Sequence, residues 1–110
     1  MRVILVAVVF ALVGLVLGLL SPVTIPLGYA RYTAVALLAA LDSIFGAFKA
    51  YIAGSYEPRI FLSGLVTNMA LAAGLTYVGD KLGVDLSIAA IVAFGVRIFN
   101  NLASIRRHYL

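Results

Sequence analysis

The sequence predicts an all-α membrane protein, a compact bundle of four transmembrane helices, and three observations carry that expectation. Of its 110 residues 65% are hydrophobic and only 11% charged, far from the balance of a soluble domain. Four apolar runs, at residues 3–20, 33–53, 60–79 and 86–105, each approach the ~20 residues that cross a hydrocarbon core. A soluble four-helix bundle would need a polar stripe on every helix, and Val3–Leu20 has none. The runs leave little chain between them, so residues 1–110 read as one transmembrane domain.

The first run follows Arg2 and resembles a secretory leader. It exceeds the usual ~7–15 residue apolar region and no A-x-A pattern follows it, so a retained span is expected. Ala7, Ala11, Gly14, Gly18 and Ser21 share one stripe of this helix, with Gly14 and Gly18 forming a G-x-x-x-G. Small residues let helix backbones approach closely in lipid. The expected use of the stripe is packing within the subunit, with a dimer seam as the alternative. Ser21–Tyr32 is the longest connection. Pro22 and Pro26 disfavour helix there, and Tyr29, Arg31 and Tyr32 mark the return to the interface.

The second run carries an acid, Asp42, halfway along. Ala39, Asp42, Gly46, Lys49 and Ala53 fall on one face, opposite Leu37, Leu41, Ile44, Phe48 and Ile52. A charge at the bilayer centre costs roughly 2.5–3.5 kcal/mol on insertion scales, so Asp42 needs protein or water around it and a partner. The third run, after a turn at Gly54–Pro58, places Ser63, Thr67, Ala70 and Gly74 on one stripe with Asn68 beside it. Asp85 stands where the fourth helix needs an N-cap. That helix carries Ala90, Ala93, Arg97, Asn101 and Ser104 on one face.

At ~1.5 Å of rise per residue, Asp42, Asn68 and Arg97 all fall near the bilayer midplane. Arg97 is the natural partner of Asp42, because its fork can satisfy a carboxylate with two bonds, and Asn68 could add a third contact. This polar cluster, Asp42, Asn68, Arg97 and Asn101, either fixes the register of three helices or forms a transport or ligand site. Gly14, Gly18 and Gly46 are the expected helix-packing glycines. Lys49, Arg59, Arg106 and Arg107 form an interfacial basic set, and by the positive-inside rule they make both termini cytoplasmic.

Several function classes are excluded. With no cysteine and a single histidine, His108, the chain offers no thiol chemistry and no metal-ligand cluster. No serine–histidine set and no second intramembrane acid accompany Asp42, so no catalytic residues, metal or cofactor are expected. The net charge of +4 sits at helix ends rather than in a groove or a basic-aromatic ladder, which argues against nucleic acid.

The segments Thr24–Pro26, ALLAALDSIFGAFKAYIAGSYE (Ala36–Glu57) and LGVDLSIAAIVAFGVRIFNNLASIRR (Leu82–Arg107) resemble the small basic protein family of bacterial membrane proteins, a family of unknown function. Lys49 stands where arginine is expected at least as often. The resemblance implies a multi-pass protein of the bacterial cytoplasmic membrane, often encoded near cell-division genes, and supplies no catalytic residues. The expectation is therefore a non-enzymatic interaction or scaffold component in the lipid bilayer, self-associating, with envelope or cell-division membrane proteins as partners. The alternative is a small oligomeric transporter or channel built on Asp42.

Overall fold

The computed structural model describes residues 2–110, without the side chains of Val3 and Ile4. Met1, the start of the stretch weighed as a leader, lies outside the described residues. Four helices follow one another: α1 (Arg2–Leu20), α2 (Leu27–Ile52), α3 (Pro58–Leu82) and α4 (Ser87–Tyr109). Helices α2, α3 and α4 are each long and apolar enough to cross a membrane.

The expected compact bundle of four is corrected to a bundle of three with a separate helix. Helix α2 packs along both α3 and α4, which touch each other little, and among the described residues α1 packs against none of them. A Cβ added at Gly14 or Gly18 would meet nothing within 4 Å, so the Gly14/Gly18 stripe is not used inside the chain. The physical reason lies in the uniformity of α1. It is apolar on every side, so no polar stripe fixes one of its faces to the bundle, and in lipid apolar surface alone does not drive helices together.

Helix α2 begins at Leu27 rather than Thr33, directly after Pro26. Proline is tolerated at a helix start because the first N–H groups have no intrahelical partner there. Tyr29, Arg31 and Tyr32 therefore belong to the first turns of α2, and the connection shrinks to Ser21–Pro26. At its other end α2 stops in a Schellman motif. Gly54 takes φ +79°, its N–H bonds Tyr51 O at 3.1 Å, and Ser55 N–H bonds Ala50 O at 2.9 Å. Pro58 then opens α3.

The α3–α4 turn is tighter. Gly83 is left-handed (φ +75°), and Val84 N–H bonds Gly79 O at 2.9 Å. Gly79 is buried so closely under this turn that a Cβ on it would lie 2.4 Å from Val84 O and 2.9 Å from Leu86 N. The N-cap of α4 is Leu86, one residue later than the expected Asp85, and Asp85 accepts bonds from Ser87 N–H at 3.1 Å and from the Ser87 hydroxyl.

The Ser87 hydroxyl holds the Asp85 carboxyl below its ordinary range. Desolvation opposes that shift, while the Ser87 N–H and the Arg31 charge add to it. A depressed carboxyl stabilises the fold above its unfolded value, near 3.9, and that contribution is lost as pH falls through the lower folded value. The difference in unfolding midpoint between wild type and Asp85→Asn, followed by circular dichroism in detergent, should be flat from neutral to about pH 5 and shrink below about pH 4.

The core between α2, α3 and α4 is made of small side chains, Val35, Ala39, Ala72 and Ala90, with Met69 and Phe94 against it. On α3, Ser63, Thr67, Ala70 and Gly74 are exposed, and the inward face is Asn68, Ala72, Thr76 and Gly79. Small residues permit close approach without demanding it. The rotation of α3 is set instead by Ala72 in the core and Gly79 under the turn, and the Thr76 hydroxyl is satisfied by Ala72 O at 2.9 Å. On α4, Ala93 likewise turns outward, while Ser87, Ala90 and Ile105 are buried.

Candidate functional site

Asp42 lies at the centre of the α2–α4 bundle. It is 0% exposed, between Ala39 and Gly46 on the face of α2 that meets its neighbours. The partner is Arg97 of α4, whose Nε stands 3.3 Å from Asp42 Oδ1. The pair is one-edged. The Arg97 side chain is 61% exposed, and neither Asp42 oxygen has a hydrogen-bond partner among the described residues. The expected two-bond fork is therefore not formed.

Asn68 reaches the same region but does not bond Asp42. Its Nδ2 donates to Ser43 Oγ at 3.1 Å, so Ser43, which the sequence reading passed over, is the α2 partner of α3. Its only sequence signal is its position next to the acid. Asn101 faces α2 across Gly46, where an added Cβ would sit 3.7 Å from Asn101 Nδ2. That is ordinary contact, so Gly46 leaves room there rather than permitting a close helix crossing.

A cavity of about 210 Å³ opens between α2 and α3 beside this cluster. Asp42, Ser43, Asn68 and Arg97 line its deep end, and Ser55 and Glu57 line the end at the α2–α3 turn. Gly46, Ala50 and Gly64 line it between these ends; their lack of bulk keeps it open. A second, apolar hollow adjoins it, walled by Tyr51, Tyr56 and Phe61. Those rings contact one another, with centroids 6.4 Å apart for Tyr51–Tyr56 and 6.3 Å for Tyr56–Phe61.

The charged residues separate by end. Lys49 lies in the last turn of α2, Arg59 in the first turn of α3, and Arg106 and Arg107 in the last turn of α4. The antiparallel order puts these at the end that carries the α2–α3 turn, where cations also suit the helix C-termini. At the opposite end Arg31 pairs with Asp80 and lies 4.0 Å from Asp85, and Tyr32 donates to Asp80 at 2.5 Å. This clasp between α2 and the α3–α4 turn was missed in the sequence, where Asp80 reads as the neighbour of Lys81. Lys81 instead lies over the Tyr77 ring, 5.4 Å from its centroid.

Residues 25–110 match the family model described as "Protein of unknown function (DUF1290)". The chain is 46% identical over 97 residues to the "Small basic protein" of Bacillus subtilis, covering 88% of this chain and 80% of that one. The chain belongs to this small basic protein family. Other relatives are "Uncharacterized protein Mb1855" of Mycobacterium bovis and "Uncharacterized protein Rv1824" of Mycobacterium tuberculosis, each 44% identical over 97 residues and covering 86% of this chain and 80% of the relative. No solved structure matches. The small basic protein family model takes in α2–α4 and the whole Asp42 cluster, and α1 precedes the matched residues.

Proposed function

We propose that this small basic protein is a multi-pass component of the bacterial cytoplasmic membrane that acts by assembling with membrane helices, its own and those of envelope or cell-division proteins, rather than by catalysis. The observation that carries the reading is α1. It is an apolar helix with no contact to α2–α4 among the described residues, and the Gly14-x-x-x-Gly18 stripe on it is open. An open small-residue stripe is the surface on which a second helix can approach closely in lipid. The outward stripe of Ser63, Thr67, Ala70 and Gly74 on α3 offers another. Both termini are placed on the cytoplasmic side, with the basic end of the bundle.

Replacing Gly14 and Gly18 by leucine should weaken self-association in bilayers, read by fluorescence transfer on dilution, by about tenfold or more, ~1.4 kcal/mol. The α2–α4 unfolding midpoint should not move, because α1 does not touch those helices. Unchanged association would remove α1 as the assembling surface. A second reading, a small oligomeric transporter or channel, is favoured by the cavity reaching Asp42, and it requires a flux that Asp42→Asn abolishes.

A further inference from the structure

The cavity at Asp42 has a chemistry that assembly does not explain. Its deep end holds a carboxylate that is fully buried and has no hydrogen bond on either oxygen among the described residues. Burying such a group is costly unless it is paired and hydrogen-bonded. Arg97 offsets its charge along one edge only, through Nε at 3.3 Å. Asn68, which donates through Nδ2 to Ser43, keeps its carbonyl oxygen as an acceptor. Glu57 at the turn end adds a second negative charge to the lining, against the single positive charge of Arg97.

We propose that this cavity binds a primary ammonium group, entering from the α2–α3 turn and seated on the Asp42 carboxylate. An ammonium ion presents three donors and one positive charge. That matches a lining with one surplus negative charge and acceptors that lack donors. A divalent metal fits less well, since no group of three His, Cys, Asp or Glu among the described residues is placed to hold one. The size points to a small ligand, because about 210 Å³ lies below the ~300–1,000 Å³ of pockets that take drug-sized molecules. The aromatic walls at Tyr56 and Phe61 suit a cation with a short alkyl stem. Occupancy requires neither partner binding nor transport, so this site stands or falls apart from both readings above.

The native chain has no cysteine, so single thiols can report on the cavity. Ser43→Cys at the deep end and Ala50→Cys nearer the turn are introduced into the full chain in phosphatidylglycerol vesicles. Each is labelled with a cationic and an anionic methanethiosulfonate of matched size. The cationic reagent should react about tenfold faster at both positions, and methylammonium should slow that reaction. Asp42→Asn should remove both the preference and the protection. Arg97→Gln should deepen the protection, because it removes the competing cation.

Repeating the labelling in vesicles that contain phosphatidylethanolamine identifies the source of the ammonium. Slowing without added methylammonium assigns the site to the lipid headgroup, and slowing only with methylammonium assigns it to a free solute. Where Ser43→Cys does not fold, Ala50→Cys carries the test. Equal rates for the two reagents, protection by neither source, or protection that survives Asp42→Asn would each overturn the proposal.

Discussion

Gly79→Ala should lower the stability of the α2–α4 bundle by about 3 kcal/mol, the largest effect expected of a single methyl group anywhere in the chain. The added carbon would lie 2.4 Å from Val84 O and 2.9 Å from Leu86 N, both backbone atoms. Neither can retreat cheaply. Val84 N–H is bonded to Gly79 O itself, and Leu86 is the N-cap of α4, flanked by the Ser87 N–H to Asp85 bond. Relief therefore means opening the α3–α4 turn, which would also pull Asp80 and Asp85 away from Arg31. Gly74→Ala is the control. It lies on the same helix with nothing within 4 Å of its added Cβ, and by helix propensity it should be neutral or stabilising by up to about 1 kcal/mol. Unfolding in mild detergent, followed by circular dichroism, separates the two. Equal effects would mean that the turn does not clamp Gly79.

The second large effect is expected at Arg97. Arg97→Gln should destabilise the bundle by about 3 kcal/mol, because removing one partner of a buried pair leaves an uncompensated charge. Asp42 is fully buried without a hydrogen bond to soften that loss. The value sits at the lower end of the usual range because Arg97 is itself largely exposed, so its removal costs little packing. Asp42→Asn should cost less than Arg97→Gln, since it leaves a neutral amide in the core and a guanidinium that can turn towards water.

Much of this fold was legible in the sequence, and the parts that were not have identifiable causes. Length and hydropathy mark all four helices, and Gly54, Pro58 and Asp85 mark the turns at the right places. The start of α2 was misplaced because Pro26 reads as a breaker, although proline is acceptable at a helix start. The inward face of α3 was not legible, because two overlapping stripes of small residues have the same periodicity. Only the tertiary fit of Ala72 and Gly79 selects between them. Periodicity also says which residues of α1 align, but not whether anything covers them. At the site, Asp42 and Arg97 were recognisable because a mid-helix charge in an apolar run needs a partner. The Asn68–Ser43 bond and the Arg31–Asp80 clasp were not, since each joins ordinary polar residues far apart in the chain.

A double-mutant cycle measures directly whether Asp42 and Arg97 compensate each other across α2 and α4. Unfolding free energies are needed for wild type, Asp42→Asn, Arg97→Gln and the double variant in the same lipid or detergent. The expected result is a double variant more stable than Arg97→Gln alone, with a coupling energy of about 1.5 kcal/mol or more. Single effects that add to within about 0.5 kcal/mol would contradict it, and would mean that the buried acid is held by something other than Arg97.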